Sequence, residues 1–268
     1  SKHLLEVGEQ GIISLLVVDI NEDEYVDIIS TSIETNQITW YENDGKGKFK
    51  AHIIDSNLKG AISVDVIDLN DDGYLDIIYA SNYNNKIIWY QNDGNGNFIS
   101  QVILSNVDGP WSIQAIDIDG DKDIDIISIN ENDNTICWYE NSGHEQFTKH
   151  IIKHTMENLW DIYGEDIDDD QDIDIITITD KNHISWYENN GEMEFINHTI
   201  DYAYGTRLHA YFSNSKIDIN GDGGLDIMPV LTDSNIVWFE DVGEEHLIQH
   251  NISNNISDIS ALNSVDID

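Results

Sequence analysis

The stretches ITWYEND (38–44), IIWYQND (87–93), ICWYENS (136–142), ISWYENN (184–190) and IVWFEDV (236–242) are one motif written five times. Their tryptophans, Trp40, Trp89, Trp138, Trp186 and Trp238, are spaced by 49, 49, 48 and 52 residues. A repeat of that period decides the architecture, because each unit is one supersecondary element that buries its apolar face only against the next. Nine residues after each tryptophan stands Phe49, Phe98, Phe147, Phe195 or Leu247, and three further on His52, Gln101, His150, His198 or His250. Twenty or 21 residues before each tryptophan an acidic loop opens, at Asp19, Asp68, Asp117, Asp166 and Asp218.

Between these marks the sequence is of β type. SVDVID (63–68) and QAIDID (114–119) alternate apolar with polar, while DIISTS (27–32) and DIIYAS (76–81) are β-rich runs. Glycine-bearing turns, DGKGKF (44–49) and DGNGNF (93–98), separate the Trp strand from the Phe strand, and the prolines are only Pro110 and Pro229. No sustained 3.6-residue apolar period is present. Four short strands per 40 to 50 residues predict an all-β fold, a β-propeller of four-stranded antiparallel blades; a β-solenoid would need shorter coils. The repeats run approximately 12–59, 60–108, 109–157, 158–205 and 206–257 within a single domain, 1–268. His3 precedes Asp19 by 16 residues, as His52 precedes Asp68, so residues 1–11 read as the last strand of a preceding blade. Residues 258–268 likewise open a new one. Five complete blades with unmatched strands at both ends predict part of a larger ring.

The loops DINEDEYVD (19–27), DLNDDGYLD (68–76), DIDGDKDID (117–125), DIDDDQDID (166–174) and DINGDGGLD (218–226) carry Asp or Asn at positions 1, 3, 5 and 9. Alternate residues over a tight turn aim oxygens at one centre, and the ninth closes the shell from the next strand. The candidate ligands are Asp19, Asn21, Asp23 and Asp27; Asp68, Asn70, Asp72 and Asp76; Asp117, Asp119, Asp121 and Asp125; Asp166, Asp168, Asp170 and Asp174; and Asp218, Asn220, Asp222 and Asp226. An all-oxygen sphere of several carboxylates suits Ca²⁺ better than Mg²⁺ or Zn²⁺, and up to five structural ions are expected. Acidic turns form without metal too, since Asp, Asn and Gly favour turns, but five copies in register argue for a site. Position 6, where a sharp turn favours glycine, is Gly73 and Gly223 in two loops and Glu24, Lys122 and Gln171 in the others, so the Asp68 and Asp218 loops are expected to be the least strained.

The charge follows the same register. Against 12 Lys plus Arg stand 52 Asp plus Glu, a formal charge of −40. Nucleic acid is excluded as a partner, and an anionic membrane surface is disfavoured. No apolar run is long enough for membrane insertion. Seventeen of the acids occupy loop ligand positions, so five Ca²⁺ would leave about −30 on the surface. Such a surface, together with weak calcium sites that fill at extracellular concentrations, predicts a secreted or cell-surface protein.

Loops of the form DxDxDGxxDI, the WYEN strand and the NDGxGxF turn together resemble the FG-GAP/VCBS repeat family, whose members are similar to integrin α-subunit propellers and to fungal and bacterial lectin propellers. The resemblance implies calcium in the loop between the first and second strands of each blade, on the residues named above, and rings commonly of seven blades. This sequence departs from the pattern in the three loops without glycine, in Leu247, and in a fifth unit whose His198 to Asp218 span is 20 residues instead of 16.

Two further groups draw notice. Trp111 and Trp160 fall outside the WYEN set, before a first strand where other units have Ala61 or Leu208, and an aromatic there could stack on a sugar ring or close the channel mouth by packing. The long connection at 202–216 carries Tyr204, Arg207 and His209, a second candidate ligand-binding surface. The histidines of the repeat belong to different sheets, so they read as strand partners instead of a metal or catalytic set. Cys137 reads as a small strand residue. With no catalytic motif in the chain, the expectation is a non-enzymatic, calcium-binding module for adhesion or glycan recognition, with a glycan or a cell-surface protein as partner. The alternatives are a propeller domain of a polysaccharide lyase or sugar dehydratase, and a protein-interaction scaffold.

Overall fold

The computed structural model describes residues 11–143, 146–168, 170–179, 183–200, 219–220, 235–241 and 247–254. Eighteen strands lie among them. The first sheet is β1 (Ile12–Val18), β2 (Asp27–Ser32), β3 (Gln37–Asn43) and β4 (Phe49–Asp55), and the second is β5 (Ala61–Ile67), β6 (Asp76–Ser81), β7 (Lys86–Asn92) and β8 (Phe98–Ser105). The third is β9 (Pro110–Ile116), β10 (Asp125–Asn130), β11 (Thr135–Asn141) and β12 (Phe147–His154); the fourth is β13 (Leu159–Glu165), β14 (Asp174–Thr179), β15 (Ile184–Asn189) and β16 (Phe195–Ile200). In all four sheets the strands lie side by side in chain order. The last two strands, β17 (Asn235–Asp241) and β18 (Leu247–Asn254), pair with each other. These are propeller-type blades, four of them complete among the described residues. The first two strands expected of the fifth repeat lie outside the described residues. The one helical element described is a 3-10 turn at Asn82–Asn84. No described helix is long and apolar enough to cross a membrane.

The sequence explains which strand sits where. The second strands DIIYAS, DIISIN and DIITIT are buried along their whole length, as unbroken apolar and β-branched runs require when both faces are covered. The fourth strands alternate exposed with half-buried residues and form a sheet edge, as β4 does with Lys50 and Ala51 exposed. Left-handed Asn36, Asn85 and Asn134, with φ of 55°, 55° and 51°, turn the second strand into the third. Between the third and fourth strands the backbone closes from Asp44 N–H to the Lys48 carbonyl at 2.9 Å and from Asp93 N–H to the Asn97 carbonyl at 3.1 Å.

By backbone packing the chain divides into two units, residues 1–115, 123–133 and 137–151, and residues 116–122, 134–136 and 152–268. Inside the first unit the core lies between sheets. One cluster joins Ile29, Ile38 and Trp40 of the first sheet to Val64, Ile77, Tyr79 and Tyr90 of the second; another joins Ile78, Ile87 and Trp89 to Ile113, Ile126, Cys137 and Tyr139 of the third. Trp40 meets the Phe98 ring edge-on at 6.3 Å. Trp40 and Trp89 therefore serve packing between blades, and Cys137 is a buried core thiol whose sulfur accepts from the Asn130 amide. In the second unit the fourth sheet buries Ile175, Ile176, Ile178, Ile184, Trp186 and Tyr187.

Candidate metal centres and the surfaces around them

Each described acidic loop joins a first strand to a second, and its shape is set by backbone amides captured by its own side chains. The carboxylate at position 1 accepts the position-6 amide: Glu24 N–H to Asp19 and Gly73 N–H to Asp68 at 2.8 Å, Lys122 N–H to Asp117 and Gln171 N–H to Asp166 at 3.1 Å. The position-3 side chain accepts the position-5 amide, from Asp23, Asp72, Asp121 and Asp170 onto Asn21, Asn70, Asp119 and Asp168 at 3.1 to 3.3 Å. These captures force position 6 into left-handed backbone, with φ of 75° at Glu24, 89° at Gly73, 80° at Lys122 and 79° at Gln171. The turn that glycine favours is thus made by all four loops, three of them with a side chain in the strained region.

Positions 1, 3 and 5 come together. In the third and fourth loops one oxygen from each of Asp117, Asp119 and Asp121, and from each of Asp166, Asp168 and Asp170, lies within 4.8 Å of the others. The first two loops have Asn at position 3. There the Asn21 and Asn70 amides donate to Asp23 and Asp72 at 3.1 and 3.0 Å, and a neutral donor tempers the carboxylates. Burial first, then the neighbouring Asp170 charge, pushes the Asp168 carboxyl upward.

The ninth residues take a different place. Asp27, Asp76, Asp125 and Asp174 are wholly buried at the head of the second strand. Their Oδ1 atoms accept the backbone N–H of Asn43, Asn92, Asn141 and Asn189, all at 2.7 Å. Asp27 Oδ2 also accepts from the Trp40 indole at 2.8 Å, and Asp76 Oδ2 accepts from Leu69 N–H at 3.3 Å. Burial pushes three of these carboxyls up, Asp27, Asp76 to about 6 and Asp174 to about 7, although the amide bonds pull the other way. Each ninth residue therefore clamps the loop to the third strand, a role the loop pattern by itself did not reveal. Of the fifth loop only Ile219 and Asn220 are described, and the Asn220 amide donates to Glu240 at 2.9 Å. Asp218, Asp222 and Asp226 lie outside the described residues.

The residues fit a hard divalent cation. Every donor is oxygen, and buried Asp117 Oδ1 makes no hydrogen bond, while its counterparts on Asp19 and Asp68 accept amides at 3.1 Å.

Trp111 and Trp160 are half-buried second residues of β9 and β13. Their register is that of Ile62, not of Ala61. In the fourth sheet the pairing jumps from Leu159 to Asp161 across Trp160, as it jumps from Ala61 to Ser63 and from Ile12 to Ser14. Each such jump is a bulge, whose extra residue stays out of the ladder. Tyr204, Arg207 and His209 lie outside the described residues.

The repeat histidines stay in separate sheets and belong to a local device. His52, His150, His198 and His250 are each paired through Nε2 with Glu42, Glu140, Glu188 and Glu240 at 2.5 to 2.7 Å. Each also lies over its tryptophan with ring centroids 4.3 to 4.8 Å apart. The second blade carries Gln91 and Gln101 in place of the pair.

Among solved structures the chain is similar to an Agrocybe aegerita lectin described as specifically recognising non-reducing terminal N-acetylglucosamine, at 16% identity and TM-score 0.65 over 91% of this chain and 66% of that one. It is also similar to a streptogramin B lyase, at 16% identity and TM-score 0.60 over 92% and 71%, and to BBS1N in a complex with ARL6DN, at 12% identity and TM-score 0.53 over 86% and 63%. The chain spans about two thirds of those proteins, and at such identities the likeness is one of fold. No curated protein matches the sequence. The FG-GAP-like repeat, however, matches four overlapping times, at residues 19–79, 68–128, 117–177 and 166–228, each match opening on the first Asp of a loop. Matched from Asp19 to residue 228 and built of blades in that register, the chain belongs to the FG-GAP-like repeat family.

Proposed function

We propose that this chain is a calcium-stabilised binding module, part of a larger, seven-bladed propeller, secreted or at the cell surface, that offers a rigid face to a glycan or a cell-surface protein. The observation that carries the reading is the Asp117, Asp119 and Asp121 cluster with its buried Asp117 oxygen lacking a hydrogen bond. Three carboxylates that close repel one another, and the effect grows as burial lowers the local dielectric. The same positions of the other loops would hold ions too, with the ninth Asp supporting each site from the strand. Bound Ca²⁺ supplies positive charge and fixes the loop between two strands; the module itself is non-catalytic.

Recognition of a glycan is the first class to test, because the lectin of similar fold is described as recognising N-acetylglucosamine. A calcium-dependent glycan array with binding lost on chelation is the expected result; a blank array moves the weight to protein partners. Thermal melting tests the calcium reading directly. At a hundredfold excess over Kd each site adds about 2.7 kcal/mol. Chelation should therefore lower the melting temperature by several degrees, and an unchanged midpoint would sink the structural role.

A further inference from the structure

The repeat is broken in one place that the calcium loops do not explain. Three residues after the last Asp of the loop the units carry Ser30, Ser128, Thr177 and Pro229, but the second carries Tyr79. At the end of the fourth strand Asp55 corresponds to Leu104, Lys153 and Ser253 in other units, and to Asp201 in one. The fold brings Tyr79 and Asp55 together in a cleft of about 140 Å³ between the first and second sheets, walled by Leu58, Ile88 and Val102 and by Tyr90.

The chemistry of that cleft is specific. Tyr79 is wholly buried, and its hydroxyl lies beside the Ser81 side chain. Burial pushes that hydroxyl up to about 12, with the Ser81 side chain pulling the other way and the Asp55 charge adding to the rise, so Tyr79 is a neutral phenol beside a carboxylate. Asp55 is already oriented: Oδ2 accepts from the Tyr90 hydroxyl at 2.8 Å and Oδ1 from Asn57 N–H at 2.9 Å, which leaves further lone pairs on each oxygen. None of the lining residues is Lys, Arg or His. Together with a net charge of −40, this excludes an anionic ligand and attracts a cation. Sites that enclose whole ligands measure about 300 to 1,000 Å³, so this cleft takes one side-chain-sized group. Leu58, Ile88 and Val102 together with a carboxylate match an alkyl stem ending in an ammonium, the architecture of a lysine side chain, and amide and hydroxyl side chains such as Asn84 and Ser81 complete the lining.

We infer that the Asp55–Tyr79 cleft binds a primary alkylammonium group, its stem along Leu58, Ile88 and Val102 and its charge donated to Asp55, with the buried Tyr79 ring behind it. The site is separate from the loops and does not rest on the calcium or glycan reading; its failure leaves both standing. The test uses the full chain with saturating calcium at physiological salt, with calorimetry for affinity and NMR shifts for location. The probes are Nα-acetyl-lysine N-methylamide, its neutral norleucine counterpart and 1,5-diaminopentane. The lysine compound should bind saturably, with shifts in β6 to β8, and the norleucine compound should not bind. Asp55→Leu, the residue found at Leu104, should weaken binding roughly tenfold or more, since a charge-assisted bond contributes about 1.5–3 kcal/mol. Tyr79→Phe keeps the ring and should weaken it less. Melting curves identify a variant that fails to fold, and Asp55→Asn then takes its place. Preference for the lysine compound over the diamine assigns the site to a protein lysine, and the reverse assigns it to a free amine. Equal binding of the norleucine compound, an unchanged affinity in folded Asp55 variants, or shifts outside the cleft would overturn the inference.

Discussion

At the scale of single residues, the sixth loop position is where sequence and geometry disagree. Lys122 and Gln171 occupy left-handed backbone at φ of 80° and 79°, where Gly73 sits without strain at 89°. A left-handed L-residue costs roughly 1–2 kcal/mol, partly offset because glycine loosens the unfolded chain by about 0.4–1. Lys122→Gly and Gln171→Gly should each stabilise the calcium-loaded protein by about 0.5–1 kcal/mol in urea unfolding, and Gly73→Lys should do the opposite. A second residue prediction concerns Asp65 on β5, whose carboxylate accepts Ala115 N–H at 2.7 Å and its neighbour Val66 N–H at 2.8 Å. Burial pushes it up to about 6 despite those bonds. A folded-state value above the unfolded one means that the stability Asp65 contributes is full below about pH 4 and is lost as pH rises through 6. Asp65→Asn keeps an acceptor and cannot ionise. Because Asp65 is partly exposed, screening limits the effect, and the variant should gain about 1–2 kcal/mol on the parent between pH 4 and 7. A constant difference across that range would refute it.

At the scale of elements, the strand ends are held by side chains that carry no period of their own. Asn92 closes β7 with its N–H on Asp76, its Nδ2 on the Leu75 and Ile20 carbonyls at 3.0 and 3.2 Å, and its Oδ1 on Gly94 N–H at 3.1 Å. The Ile20 bond reaches the first blade, a link that is not seen for Asn43, whose Nδ2 holds the Val26 carbonyl alone. Asn92→Ala should therefore cost about 2–3 kcal/mol, more than Asn43→Ala, because it strands several buried groups. The His198–Glu188 pair over Trp186 makes a different prediction. Since the second blade manages with Gln91 and Gln101, replacing both partners by Gln should cost less than the two single changes combined. A double-mutant cycle should return a coupling of about 0.5–1 kcal/mol, and additivity would deny the pair any energetic role.

At the scale of the whole molecule, the blades were legible from period alone. A motif recurring at 49, 49, 48 and 52 residues admits few architectures, and loop, Trp strand and Phe strand each fell on a distinct element in the register expected. So did the clustering of positions 1, 3 and 5, because a tight turn with alternate acidic residues has one geometry available to it. The ninth Asp was legible as a residue but not as a clamp, since its partner amides lie 15 or 16 residues away across the sheet. The register of Trp160 was missed by one although the sequence holds it: Trp160 stands six residues before Asp166 as Ile62 stands six before Asp68, and the bulge falls at both. The Asp55 and Tyr79 cleft was unreadable beforehand: Tyr79 differs from the Ser, Thr and Pro of the other units, but nothing in the chain says that it meets Asp55. What the sequence determined by itself is everything that repeats, because each repeated unit folds under the same local constraints. What only the tertiary structure decided is where non-repeating side chains from adjacent blades meet, because those contacts depend on how two sheets pack and not on either sheet alone.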